Sequence, residues 1–259
     1  EILRCLVGSE MCIRDRNTTL VMFLSDNGMD FPFAKTNCYL NSNKTPWIVK
    51  WPGVTKPGSI DNSTFIATID YMPTILEACG IELNASVDGK SFVEVLKGHS
   101  LLDRNRVFTQ FYETSGRNRY PMFAVHDAQY CYIYNAWADG NTVFRNCSWA
   151  GMTFASMVED SESDGFTKQR LEFFKFRTKE ELYDVKKDPE GLHNLLEDDK
   201  YKEIVQRYRL YLQEWMETTD SPVLDIFKNK DNEELRRGFM KEQQLSLIHI
   251  SEPTRHLRI

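Results

Sequence analysis

An apolar run, Thr18-Thr-Leu-Val-Met-Phe-Leu24, stops abruptly at Ser25-Asp26-Asn27-Gly28. A β-rich run of this length closed by turn residues predicts a buried strand ending in a turn. Trp47-Ile-Val-Lys-Trp51, closed by Pro52-Gly53, predicts a second short strand, and Lys56-Pro57-Gly58-Ser59 a surface turn. The stretch from Phe65 to Ile81 then carries a helix signature: Pro73 suits a first turn, Ile75, Leu76 and Cys79 share a face, and Gly80 supplies the stop. Strand followed by helix is the grammar of an α/β fold.

From about residue 105 the pattern changes. Arg106–Tyr112, Met122–Val125, Tyr130–Tyr134 and Glu181–Asp184 read as short strands joined by polar turns, and residues 135–170 as a long, polar, irregular excursion. Ile204, Tyr208, Tyr211, Leu212 and Trp215 follow helical spacing, with charges on the opposite face. A small α+β domain with an antiparallel sheet and a packed helix therefore follows the α/β portion, and there is no internal repeat. The expected boundaries are 17–105 for the α/β portion, 106–225 for the small domain and 226–244 for a tail.

The two ends have no partner in this periodicity. EILRCLVGSEMCIRDR (1–16) and LSLIHISEPTRHLRI (245–259) resemble translated sequencing-adapter sequence and are set aside as non-native. The remainder is long enough for one large domain or pieces of two. Across 259 residues the formal charge is −6, which argues against a nucleic-acid partner, because such proteins present a basic face. No apolar run approaches the ~20 residues of a membrane span. Asn17, Asn62, Asn84 and Asn146 head N-glycosylation sequons, and Asn43 heads a poorer one followed by Pro46, a set that favours the secretory pathway. Cys38, Cys79, Cys131 and Cys147 fit no metal-binding spacing, and their pairing is left open.

Asp26-Asn27-Gly28 carries the chemical interest. Read alone, Asn-Gly after a strand is a hairpin signal. It also sets a carboxylate beside an amide oxygen at the end of a strand, where α/β sheets place their sites. Two hard oxygen donors suit calcium or magnesium better than zinc. Lys35 follows nine residues beyond Asp26; alone it reads equally as a solvated surface lysine, while beside a divalent cation it would help hold a sulfate-like group.

The stretch TLVMFLSDNGMDFPFAKTNCY resembles the late metal-binding segment of the sulfatase family, and particularly its sulfamidase branch. PWIVKWPG, IDYMPTILEACGI, DGKSFVEVLKG, RYPMFAVHDAQYCYIYN and ELYDVKKDPEGLHNL then follow in family order, covering nearly all of residues 18–225. The resemblance implies the α/β alkaline-phosphatase-like fold, with this chain supplying the C-terminal part of the large mixed-sheet domain and the small domain after it. It implies that Asp26 and Asn27 are ligands of one calcium ion and that Lys35 contacts the sulfate. That position is more often arginine in the sulfamidase branch, so the charge is kept but a bidentate fork is lost, which puts the substrate subclass in doubt.

Glu113, Arg117 and Arg119 lie where such enzymes reach into the substrate pocket, although the local correspondence slips by a couple of residues. The resemblance further implies a formylglycine nucleophile. None of Cys38, Cys79, Cys131 and Cys147 opens its motif, so the nucleophile, the remaining calcium ligands and the proton-donating His-Lys set are assigned to an upstream region. His99, His126 and His193 read as surface or structural. The implied reaction is hydrolysis of a sulfate ester or N-sulfate on a sulfated saccharide, with heparan N-sulfoglucosamine the leading substrate. The implied setting is a lysosomal or secreted glycoprotein, with a homodimer as an allowed assembly, and the fragment alone is expected to be inactive. Two other readings stay open: a phosphate or phosphonate ester hydrolase of the same superfamily, and a non-catalytic sugar-binding paralogue.

Overall fold

The computed structural model describes residues 17–83, 87–101 and 103–250. In chain order the elements are β1 (Val21–Leu24), α1 (Leu40–Asn43), β2 (Trp47–Lys50), α2 (Tyr71–Ala78), α3 (Val93–Leu96), β3 (Arg106–Glu113), β4 (Arg119–Asp127) and β5 (Tyr130–Asn135). Then come α4 (Met152–Asp160), α5 (Gly165–Phe176), β6 (Glu180–Asp184), α6 (Lys202–Thr218), α7 (Leu224–Lys228) and α8 (Glu233–Ile250). The described residues fall into two compact units, one within 17–26 and 45–107, the other within 27–44 and 108–250. The chain crosses from the first to the second between Asp26 and Asn27.

In the first unit β1 pairs antiparallel with β2, Phe23 opposite Ile48 and Leu24 opposite Trp47. The strand expected to be buried is half-open: Phe23 and Ile48 are 59% and 62% exposed. The helix α2 forms as expected, with Gly80 at φ +68 ending it and the Ile81 amide donating to the Leu76 carbonyl at 2.9 Å. Its buried residues are Pro73 and Thr74, however, while Ile75 and Cys79 of the expected face are exposed. Hydrogen bonding explains the difference. Thr74 Oγ1 donates to the Asp70 carbonyl at 2.6 Å and accepts from the Phe92 amide at 3.1 Å, which draws that side of the helix inward. The Asp70 carboxylate accepts from the Ala67 and Lys90 amides and from Arg104 Nη1 at 2.8–2.9 Å, and the Arg104–Asp70 pair is buried. Gly89 is required beside it, since a Cβ there would sit 2.0 Å from the Ile69 carbonyl oxygen.

The second unit is a four-stranded sheet in the order β3-β4-β5-β6, with β4, β5 and β6 antiparallel. Side chains alternate between faces along each strand, and here both faces are apolar. Tyr120, Met122, Ala124, Ile133 and Tyr183 pack on one side with Leu171 and Phe174 of α5. Phe123, Val125, Tyr132, Tyr134 and Leu182 pack on the other with Val205, Tyr208, Leu212 and Met216 of α6. The helical spacing of those last four residues is why α6 lies on the sheet. Residues 135–170, expected to be irregular, contain α4 and the start of α5. Their sparse apolar positions, Phe154 buried in α4 and Leu171 and Phe174 in α5, left only a weak periodic signal. Among the described residues no helix is long and apolar enough to cross a membrane.

Candidate functional site

The residues after β1 begin a long excursion, because Leu24 pairs with Trp47 and residues 25–46 lie between them. The hairpin reading of Asn27-Gly28 is therefore corrected. Gly28 is needed for close approach: its amide donates to the Ser42 carbonyl at 3.0 Å, and a Cβ would lie 2.0 Å from the Asn41 and 2.2 Å from the Ala34 carbonyl oxygen. Just before it, Asp26 is exposed and Asn27 half-buried.

The next turns carry the candidate cation. Phe33 and Thr36 have φ of +66° and +59°, a conformation costly for residues with a side chain, and Lys35 lies between them. The Phe33 ring explains how the first is held. The Arg170 guanidinium sits 3.7 Å and that of Arg177 4.7 Å from its centroid, with Phe174 edge-on at 5.1 Å and Tyr39 edge-on at 5.4 Å. On the other side, the Lys35 carbonyl accepts from Thr36 Oγ1 at 2.7 Å, Asn37 Nδ2 at 2.8 Å and Asn146 Nδ2 at 3.3 Å. Lys35 itself is half-buried.

Beneath the loop, Tyr39 hydrogen-bonds through its hydroxyl to the buried Glu181, which also accepts from Tyr183 Oη and Asn135 Nδ2, both at 2.6 Å. Burial pushes the Tyr39 and Tyr183 hydroxyls well up, so both remain protonated donors.

The thiols near this loop are poor nucleophiles. Burial raises Cys38 to about 12. Burial and then the Asp30 carboxylate, which accepts from Cys147 Sγ at 2.9 Å, raise Cys147. Cys38, Cys79, Cys131 and Cys147 are all free.

Of the other candidates, Glu113 and Arg119 are brought together at the ends of β3 and β4, Nε to Oε2 at 3.0 Å, and Arg119 Nη1 also donates to the Gln243 carbonyl of α8 at 2.8 Å. Arg117 occupies the exposed turn between those strands at φ +61°. Arg119 thus ties a strand to a helix. His126 is buried near Thr109 and Cys131, whereas His99 and His193 lie beside Glu94 and Asp188 at the surface. Asn17 and Asn62 are exposed, and Asn84 lies outside the described residues. Asn146 differs: its Nδ2, the atom a glycan would occupy, donates at 2.6 Å to Thr36 Oγ1. Phe33 was not anticipated as a site residue, and Asn146 was anticipated only as a glycosylation candidate. The contacts of Phe33 with Arg170 and of Asn146 with Thr36 bridge distant parts of the chain, and no local pattern signals them.

In kind, Asp26 and Asn27 offer a carboxylate and an amide oxygen, donors that suit a hard cation. The number is short of the six to eight oxygens calcium takes. Among the described residues there is no group of three or more His, Cys, Asp or Glu side chains placed to hold a metal.

Residues 30–143 match the family model described as N-sulphoglucosamine sulphohydrolase, C-terminal. An ulvan-active sulfatase of Formosa agariphila is 27% identical over 202 residues, covering 77% of this chain and 38% of its own length. Human N-sulphoglucosamine sulphohydrolase is 26% identical over 216 residues, covering 80% of this chain and 43% of its own. The chain thus spans about two fifths of the length of these curated relatives. A solved structure described as a complex with its substrate D-glucosamine-2-N,6-O-disulfate superposes with a TM-score of 0.56 at 16% identity, covering 85% of this chain and 38% of its own. A phosphonate monoester hydrolase of Silicibacter pomeroyi does so with a TM-score of 0.57 at 17% identity, covering 83% and 38%. At these identities the structural likeness establishes the fold alone.

Proposed function

We infer from the match of residues 30–143 to the sulfohydrolase family model and from the sulfatase relatives that the chain is of the sulfatase family, and we propose that it is the C-terminal part of an enzyme hydrolysing the sulfate ester or N-sulfate of a sulfated sugar. N-sulfoglucosamine of heparan is the leading substrate. The observation that carries this reading is the Asp26-Asn27 pair at the end of β1, followed by a lysine held in a strained, clamped loop. Asp26 and Asn27 would hold calcium together with ligands from the rest of the protein, and calcium would supply Lewis-acid polarisation of the sulfate. The nucleophile, a formylglycine, is assigned to the rest of the protein. Lys35 binds a sulfate oxygen and offsets the charge that builds on it as the S–O or S–N bond breaks. A fixed ammonium is worth most if it need not reorganise during the reaction, and the loop around Lys35 meets that requirement. Asn17 and Asn62, exposed sequons, support passage through the secretory pathway.

Variants of the full-length protein test this. Lys35→Ala is expected to lower kcat/KM for sulfate release about 100-fold or more, while Lys35→Arg retains most of it. Asp26→Ala is expected to abolish the thermal stabilisation that added calcium gives the parent. Full activity in Lys35→Ala would refute the role given to Lys35. The same fold serves a phosphonate hydrolase, so a phosphonate monoester belongs in the same assay.

A further inference from the structure

Asn146 heads the sequon Asn-Cys-Ser, yet its side chain is folded inward onto the Lys35 loop. We propose that Asn146 is the positioning residue for Lys35, and that it remains unglycosylated because its amide nitrogen is committed to that loop. The inference rests on the reading of Lys35 as the sulfate-binding cation.

The hydrogen bonds assign the amide uniquely. The Lys35 carbonyl can only accept, so the group 3.3 Å from it on Asn146 must be the NH2. Thr36 Oγ1 donates its own proton to the same carbonyl at 2.7 Å and therefore accepts from Asn146 Nδ2 at 2.6 Å. The Asn146 oxygen in turn accepts from Ser148 Oγ at 2.7 Å, and Ser148 is buried, which fixes the side chain from behind. Asn146 thus grips the two residues that set the direction of the Lys35 side chain, one of them at φ +59°. A left-handed threonine is unfavourable in an isolated loop, so a partner outside the loop is needed to keep it there.

Burial and then Asp30 raise the thiol of Cys147, the residue next to Asn146, and the Lys35 charge partly opposes them. Phe33, in contact with the Arg170 and Arg177 guanidinium groups, holds the other end of the loop. A glycan on Nδ2 would place a sugar where Thr36 Oγ1 and the Lys35 carbonyl now sit.

The test uses full-length protein from a secretory host, comparing the parent with Asn146→Ala and Thr36→Val. Lysines are labelled by reductive 13C-methylation, and Lys35→Arg identifies the Lys35 signal. Asn146→Ala is expected to shift or broaden that signal while leaving Lys179 and Lys228 unchanged, and to speed amide exchange in residues 33–38 at least tenfold without affecting β4 and β5. Thr36→Val should reproduce both effects. Added to Lys35→Ala, Asn146→Ala should cost no further activity, because its effect passes through Lys35. Glycopeptide mapping should find Asn146 unoccupied. An unchanged Lys35 signal and unchanged exchange in both variants, or a glycan on Asn146 of the folded protein, would overturn the proposal. The labelling and exchange results stand apart from catalysis, so an inactive role for Lys35 would show only in the assay of Lys35→Ala.

Discussion

His126 illustrates how one residue can couple this fold to pH. Burial lowers its imidazole from 6.5 to about 4, with only partial compensation from a backbone hydrogen bond to Cys38 and from Asp127. Between those values the unfolded chain takes up a proton that the folded chain refuses, so stability falls as the pH drops from about 6.5 to about 4. The shift corresponds to a loss on the order of 3 kcal/mol across that window. In urea denaturation of the full-length protein, His126→Asn should reduce the difference between pH 7 and pH 4.5, whatever it does to stability at pH 7. An unchanged difference would mean that His126 titrates normally in the fold. Nothing in the sequence around His126 announced this behaviour. The neighbouring Met122–Val125 was legible as a strand, but His126 read as lying beyond its end, whereas β4 continues through it to Asp127 and the closure over it by Cys38 and Thr109 comes from distant segments.

Among the elements, those with a dense run of apolar and β-favouring residues or a clear helical spacing were readable. Strands β3 to β6 were legible from such runs and helix α6 from its apolar stripe, although the sheet also buries His126, Glu180, Glu181 and Asp184, which no local pattern marks. Helices α4 and α5 escaped, since each buries only one or two residues, Phe154 in α4 and Leu171 and Phe174 in α5, which is too few to mark a helical face. Asp70 is a further case: it sits in an ordinary helix start, yet it receives two backbone amides and the buried Arg104 guanidinium. Removing one member of such a pair strands a buried charge, at a cost of roughly 3–5 kcal/mol. Asp70→Asn should therefore lower the denaturation midpoint markedly, and Asp70→Leu with Arg104→Met should recover part of the loss. A change below about 1 kcal/mol in Asp70→Asn would show that water rather than the pair satisfies these groups. For the candidate site, Asp26, Asn27 and Lys35 could be singled out as candidates because their signal is local in sequence. The reason for Gly28, the strain at Phe33 and Thr36, and the Asn146 contact could not be, because each depends on the folded path of residues 27–44.

On the scale of the whole molecule, the first unit leaves apolar side chains uncovered. The cross-strand pair Phe23 and Ile48 is exposed, as are Ile69, Met72 and Ile75. Soluble monomers rarely leave such groups clustered. We expect the remainder of the parent protein to cover them, in keeping with a chain that spans about two fifths of its relatives. Residues 17–244 expressed alone should bind a hydrophobic dye and sediment above the monomer mass, and a monodisperse, cooperatively unfolding monomer would argue that the unit is self-sufficient. The central claim concerns chemistry, and one assay addresses it most directly. The full-length protein, supplied with calcium, is incubated with N-sulfoglucosamine, O-sulfated glucosamine and a phosphonate monoester, and the released inorganic sulfate and the phosphonate cleavage product are quantified. The account predicts sulfate release, fastest from the N-sulfate, and little phosphonate cleavage. Phosphonate cleavage without sulfate release, or no turnover of any substrate by a folded, calcium-loaded protein, would contradict it.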